Sequence, residues 1–392
     1  MSSNRHKLWE KTFNLKTLFF VLLLIAIVVS IQQYLLPDTN FFGRLRPHYN
    51  NFLIFKYSFK HLLANTNLYE LYSHEYGDLF KYSPTFALFM GLFYYFPDWL
   101  GLIFWNVLNV SILFFGIKSL PNIDERNKIF IILFVLFELI GNIQNEQSNA
   151  LMGGLIILSF GFFERKKLLL AALVIAFSIY IKLFGIVAIA LFLLYPNKFR
   201  FLTYFMLWFT ILWALPLIII SPDQLINQYM NWAELLLTDY TTRYGFSILG
   251  IMQKWFLFEP SKWIVMFAGI LFFCSVYIRK DLFADYGFRL LFLSSILIWV
   301  ILFNHAAESS GYIICMTGIG IWYFIQERTT TNTVLVIIAF IMMSLIYTDI
   351  TPAYYRHNYL YPYYVKTIPA IIIWLRILYE MLFNKYQIKA TN

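Results

Sequence analysis

The sequence predicts an all-α, polytopic membrane protein of about twelve transmembrane helices, each needing ~20 apolar residues. Three observations lead there. Hydrophobic residues make up 60% of the 392-residue chain and charged residues 13%, with a mean hydropathy of +0.66, more apolar surface than a soluble core of this length uses. Apolar runs recur from Leu15 to Phe383, and the polar residues among them are clustered. Segments crossing lipid must satisfy their own backbone hydrogen bonds, which helices do and open sheets do not. The chain reads as a single integral-membrane domain, 1–392.

The predicted spans lie near 15–36, 84–97, 99–117, 129–143, 147–163, 168–195, 201–221, 262–278, 286–303, 310–326, 332–347 and 367–384. The span at 15–36 is too long for a secretory signal and no small-residue cleavage site follows Leu36, so it is expected to stay as an anchor. Simple alternation from a cytoplasmic N-terminus makes both termini cytoplasmic. It also places Arg5, Lys7, Lys11, Lys16, Lys198, Arg200, Arg279, Lys280, Arg328, Lys385 and Lys389 on that side of the cell (inner) membrane, as the positive-inside rule requires. Glu164-Arg165-Lys166-Lys167 falls outside on this count and marks 118–167 as the part of the topology in tension. The net charge of +9 thus follows membrane orientation and does not imply a nucleic-acid partner. Cys274 and Cys315 both lie in apolar runs, so neither a disulfide framework nor a zinc site is expected. No Walker loop, Rossmann fingerprint or metal-ligand spacing occurs, and no metal site is assigned.

The same alternation sends the long polar segments, 37–83, 222–261, 304–309 and 348–366, to the outer face. In the first of them Phe52, Phe55, Phe59, Leu62 and Leu63 recur at helical spacing, predicting an amphipathic surface helix with His48, Asn51, Lys56 and Lys60 on its polar side. Leu68-Tyr69, Glu75, Asp78 and Lys81-Tyr82-Ser83-Pro84 follow, with Pro84 suited to a first helical turn. In Gly141–Asn149 seven of nine side chains are polar, including Asn145, Gln147 and Asn149. Such a turn serves either as a re-entrant tip lining a cavity or as structural hydrogen bonding between helices. Lys182 stands near the middle of the 28-residue run 168–195. A lysine at mid-bilayer costs ~2.5–3.5 kcal/mol, so it is expected to face an anion or a wet cavity. Glu138 is a second ionisable group in an apolar run, as a functional partner or half of a structural ion pair. In Asn304–Ser310, His305 and Glu308 are three apart and share a face of a helical turn. In 222–261, Asp239, Tyr240, Arg243 and Tyr244 are placed to fold over a site.

With these residues in view, the chain resembles glycosyltransferase family 87, polyprenol-phosphate-mannose-dependent transferases of the GT-C membrane fold. The likeness covers most of the length, clearest from about 46 to 200. It rests on the helix and Leu-Tyr turn from Asn51 to Tyr69, Tyr82-Ser83-Pro84, Trp105 with Asn109, Gln147-Ser148-Asn149, the intramembrane Lys182, and Phe303-Asn304-His305 to Glu308-Ser309. The fold implies large outer loops after the first and seventh spans, where 37–83 and 222–261 fall. One departure stands out. The family usually carries Asp-Phe early in the first outer loop, the carboxylate serving as base, and this chain has Asn51-Phe52. An amide cannot accept that proton.

The resemblance implies transfer of a hexose, with mannose expected, from a polyprenyl-phosphate donor to a glycan, glycolipid or protein acceptor at the outer face. Lys182, His305, Lys56 and Lys81 are candidates to hold the donor phosphate through charge-assisted hydrogen bonds. Asp78, His48 and Glu308 are candidate catalytic bases in place of Asn51, with Glu75 a further carboxylate in that loop. Asn51, Tyr69, Tyr82, Asn145, Gln147 and Asn149 would position substrate, and Tyr240 could stack on a sugar. The bilayer and the lipid-linked donor are the expected partners; no cofactor is demanded, and a divalent metal is compatible with the wider fold. Two other readings fit the residues: a transporter or flippase with Lys182 and Glu138 along its pathway, and an inactive family relative.

Overall fold

A computed structural model describes residues 14–41, 43–238 and 244–388. Asn14 caps α1 (Leu15–Leu35) by accepting from the Thr17 amide at 2.9 Å. A short antiparallel hairpin, β1 (Thr39–Phe41) and β2 (Arg44–Arg46), leads to α2 (Asn50–Leu63). Ser83 accepts from the Phe86 amide at 3.1 Å and, with Pro84 in the first turn as expected, opens α3 (Pro84–Tyr94). Next come α4 (Asp98–Ser119), α5 (Glu125–Phe134), α6 (Leu136–Gln144), α7 (Asn149–Glu164) and α8 (Leu168–Ile181), with a 50° bend between α5 and α6. A 3₁₀ segment, Leu183–Leu194, precedes α9 (Lys198–Ile218). The chain continues through α10 (Pro222–Thr238), α11 (Ile248–Phe256), α12 (Lys262–Ile278), α13 (Tyr286–Leu302), α14 (Tyr312–Phe324), α15 (Thr330–Tyr347) and α16 (Thr367–Phe383).

Helices α1, α4, α9 and α15 are long and apolar enough to cross a membrane, and the bent α5–α6 pair would make a fifth. The other apolar runs form shorter helices, because breaks interrupt them without changing their composition. Helix α14 is buried from Tyr312 to Tyr323, and α13 from Gly287 to Leu302 apart from Arg289. Helices α4 and α7 meet backbone to backbone: a Cβ on Gly154 would come within 2.5 Å of Ile112. Small residues permit this approach where helices pack without water to drive them together. The peripheral helices turn apolar side chains outward, among them Phe20, Leu24, Met206, Trp263 and Phe267. That is the surface of a membrane-embedded bundle.

The long polar segments meet at one end of the bundle. Gln228 of α10 joins the first loop, its Oε1 accepting from Leu68 N at 3.1 Å and its Nε2 donating to Thr66 O at 2.7 Å. Gly245 and Phe246 donate to the carbonyls of His305 and Ala307 at 2.9 and 2.7 Å. Trp255 donates to Tyr363 O at 2.7 Å.

Three expectations change here. The polar side expected for α2 is only partly open, since Lys56 is buried whereas the Lys60 side chain keeps 44% exposure. Lys56 reaches Asp98 at 2.6 Å, so the start of α4 sits beside α2 and the run at 84–97 begins and ends at the same end of the bundle. The run 168–195 is two antiparallel arms rather than one span. After Lys182 the chain folds back, and Tyr195 returns to the end of α7, its hydroxyl donating to Glu164 at 2.5 Å and its ring stacking on Phe163. With rises of about 1.5 and 2.0 Å per residue, the 14-residue α8 and the 12-residue 3₁₀ arm span roughly 21 and 24 Å, so the hairpin closes. Glu164-Arg165-Lys166-Lys167 therefore lies at the same end of the bundle as 194–200 and 283–289.

Candidate active site

Lys182 occupies the apex of this hairpin, in extended backbone (φ −140°, ψ 128°) between α8 and the 3₁₀ arm. Gly185 makes the fold-back feasible, since a Cβ there would lie 2.4 Å from Ser178 Oγ and 2.8 Å from its backbone carbon. The Lys182 ammonium donates to Asn149 Oδ1 at 2.7 Å and lies 3.4 Å from Gln147 Oε1. It also sits 5.8 Å from the ring centre of Tyr82 and 5.9 Å from that of Phe184. Among the described residues no carboxylate lies within ion-pair distance of it. Its partners are neutral oxygens and aromatic faces, so its charge remains available to an anion.

Asn149 Nδ2 approaches Ser310 Oγ at 3.5 Å, and Ser310 donates to Glu308 Oε2 at 3.2 Å. Glu308 thereby joins the cluster through two side chains, and its charge acts on both Lys182 and Tyr82. Asp78, exposed in the first loop, also acts on Tyr82, and its Oδ1 accepts from the Leu79 amide at 2.7 Å. Asn50 fixes the neighbouring turn by accepting from Gly77 N at 2.9 Å. Tyr82 is anchored through its carbonyl by the Tyr69 hydroxyl at 3.0 Å. Ser83 donates to Tyr180 O at 2.5 Å, tying this turn to the end of α8.

The 145–149 turn is built by amides. Trp105 donates to Glu146 O at 2.7 Å, and Asn109 Oδ1 accepts from Leu151 N at 3.0 Å. Asn142 Nδ2 donates to Gln147 O at 3.1 Å. Asn51 Nδ2 donates to Asn145 O at 2.9 Å, so the amide that stands where the resemblance leads one to expect a carboxylate links α2 to this turn. A carboxylate could not make that donation.

The structure therefore gathers Lys182, Gln147, Asn149, Tyr82 and Glu308, with Asp78, Tyr69 and Asn145 in linked turns and Asn51 at the start of α2. Lys81 precedes Tyr82, its carbonyl accepting from Trp232 at 3.1 Å, and His305 stands three residues before Glu308. Other candidates are engaged elsewhere. Lys56 is buried against Asp98 and also donates to Phe96 O at 2.7 Å, so its charge is already paired and two of its three donors are committed within the fold. Glu75 is shared between Lys60 at 2.5 Å and His61 at 2.8 Å. Burial raises its pKa, but these bonds outweigh burial and hold it below the usual carboxylate range, a poor setting for a base. His48, just before α2, makes no hydrogen bond among the described residues. Glu138 forms a buried pair with Lys366 at 2.9 and 3.0 Å and accepts from Ser344 at 3.2 Å, so the structural ion pair accounts for it. Asp239, Tyr240 and Arg243 lie outside the described residues.

Two participants were not singled out from sequence. Ser310 is the bridge to Glu308. Glu146 is fully buried, in left-handed backbone (φ 48°), with neither carboxyl oxygen hydrogen-bonded. Its position inside the polar turn was the available signal.

The sequence profile of glycosyltransferase family 87 matches residues 80–348, more than two thirds of the chain. The chain belongs to glycosyltransferase family 87. The matched region contains Tyr82, Trp105, Asn109, Gln147, Asn149, Lys182, Glu308 and Ser310, the residues that build the cluster, and begins after Asn51. No curated protein sequence matches the chain. Family membership makes this protein a glycosyltransferase.

Proposed function

We propose that this family 87 protein transfers a hexose, mannose in the first instance, from a polyprenyl-phosphate donor to an acceptor hydroxyl on a glycan, glycolipid or protein. The reaction is placed at the extracytoplasmic face of the cell membrane, with both termini cytoplasmic. One observation supports this most: a lysine ammonium among neutral amide oxygens, joined through Asn149 and Ser310 to a carboxylate. In the proposed reaction the acceptor oxygen attacks the anomeric carbon while its bond to the donor phosphate breaks, through an oxocarbenium-like transition state. Lys182 receives the departing polyprenyl phosphate. The acceptor proton passes to a carboxylate, Glu308 or Asp78, with Tyr82 between them as a sugar-facing ring. Asn51 acts as a positioning residue through Asn145.

The test is sugar release from a synthetic polyprenyl-phosphate hexose by protein in nanodiscs. Lys182→Gln should lower kcat by roughly 10²–10³-fold, the usual effect of removing a preorganised charge donor. Whichever of Glu308→Gln and Asp78→Asn falls by ~10²-fold or more identifies the base. Unchanged turnover in Lys182→Gln would overturn the assignment.

A further inference from the structure

At the end of the bundle opposite the Lys182 cluster, a cleft of about 860 Å³ opens between the end of α7, the start of α8, the 194–200 turn and 283–289. Its inner wall is fixed. Arg289 grips Glu164 with two bonds, at 2.6 and 3.0 Å, and donates to Phe283 O at 2.9 Å, while the Tyr195 hydroxyl takes the same carboxylate. Glu164, the only carboxylate among the described residues that line the cleft, is thereby committed.

The mouth is different. Lys166 and Lys167 are exposed, and their ammonium groups make no hydrogen bond or ion pair among the described residues. Arg200 is also exposed and, among the described residues, bonds Tyr204, its Nε donating to the hydroxyl at 3.0 Å with the guanidinium over the ring. Three cations thus face one cleft in which, among the described residues, no uncommitted carboxylate neutralises them. The rim beside them is apolar: Leu169 and Leu170 line the cleft while remaining about two-fifths exposed. Beyond them the outer face of α9 presents Phe199, Met206 and Leu207. A free phosphate would use the cations and leave this apolar wall in contact with nothing. A phospholipid uses both.

We propose that this cleft binds an anionic phospholipid, its phosphodiester held by Lys166, Lys167 and Arg200 and its acyl chains lying along the exposed leucines of α8 and the outer face of α9. Basic pockets between apolar helices are a recognised setting for anionic headgroups. The volume falls within the ~300–1,000 Å³ typical of small-ligand sites.

The full-length protein in neutral detergent would be titrated with phosphatidylglycerol or phosphatidylcholine, and bound lipid counted by native mass spectrometry. Phosphatidylglycerol should bind about tenfold or more tightly than phosphatidylcholine, and Lys166→Gln/Lys167→Gln/Arg200→Gln should remove that preference. Lys280→Gln, outside the cleft lining, should keep it. All three substituted side chains are exposed, and the single variant Arg200→Gln provides a milder step on the same scale. Equal binding of the two lipids, or a preference that survives the triple substitution, would refute the proposal. Displacement of phosphatidylglycerol by an equal concentration of glycerol phosphate would also refute it, since it would mark a soluble-anion site. The readout needs no sugar transfer, so it stands or falls separately from the proposed reaction.

Discussion

Lys56 separates a structural cation from a catalytic one. Its ammonium bonds Asp98 at 2.6 Å and Phe96 O at 2.7 Å, with side-chain exposures of 7% for Lys56 and 30% for Asp98. Breaking a fully buried pair by removing one partner costs ~3–5 kcal/mol, chiefly through the charge left behind. Asp98 retains partial access to water, which screens part of that cost, so Lys56→Met should destabilise the protein by about 2–3 kcal/mol. Lys56→Met/Asp98→Asn removes the stranded charge and should recover about half of the loss, a coupling that a double-mutant cycle resolves. Denaturant unfolding in detergent measures both. Sugar transfer per folded molecule should match the parent in each variant. A large fall in turnover with unchanged stability would refute this reasoning and return Lys56 to the donor site.

Other outcomes follow from the same geometry. Asn51→Asp removes the donor to Asn145 O and should cost about 1 kcal/mol of stability. It should lower transfer, and a rise in turnover on the same donor would show that the amide is not the linking group described. Lys366→Met should cost ~3–5 kcal/mol by stranding Glu138, whereas Lys366→Met/Glu138→Leu should restore most of it; equal losses in the two variants, read by thermal unfolding, would contradict a buried pair. The first polar loop should loosen in acid. Burial lowers the His61 pKa despite the Glu75 contact, and Glu75 is itself held low by Lys60 and His61. Both folded-state values lie below the unfolded ones, so stability present at neutral pH is lost as pH falls, first through the histidine range below 6.5 and then below 4.5. Protection factors across 50–80, corrected for the intrinsic pH dependence of exchange, should fall between pH 7 and 5, and constant or increased protection would disprove the sign.

Much of this arrangement is legible in the chain. Helices α1 and α4 follow from uninterrupted apolar runs, and Ser83-Pro84 marks the start of α3 by its capping chemistry. The polar turn at 141–149 and Lys182 stand out because ionisable and amide side chains are costly in an apolar setting, and Glu308 because it follows His305 by three residues in a polar loop. Direction was harder to read. Hydropathy reports composition and not heading, so the hairpin at 168–195 and the return at 84–97 both passed as single crossings. Lys56 illustrates a related limit. On a helical wheel it sits on the polar face of α2, and only Asp98, forty-two residues later, turns that face into packing. Ser310 could not be read from sequence at all, because its role depends on Asn149 arriving from another helix.

The hairpin that carries Lys182 sets where that charge can travel. Both arms begin and finish at one rim of the protein, and the apex is clamped to Asn149 and, through Ser83, to the turn preceding α3. Its depth is therefore dictated by the length of two short rods and not by the surrounding lipid. In a thicker or thinner bilayer the outer helices are free to lean, while the ammonium keeps its spacing from the amides beside it.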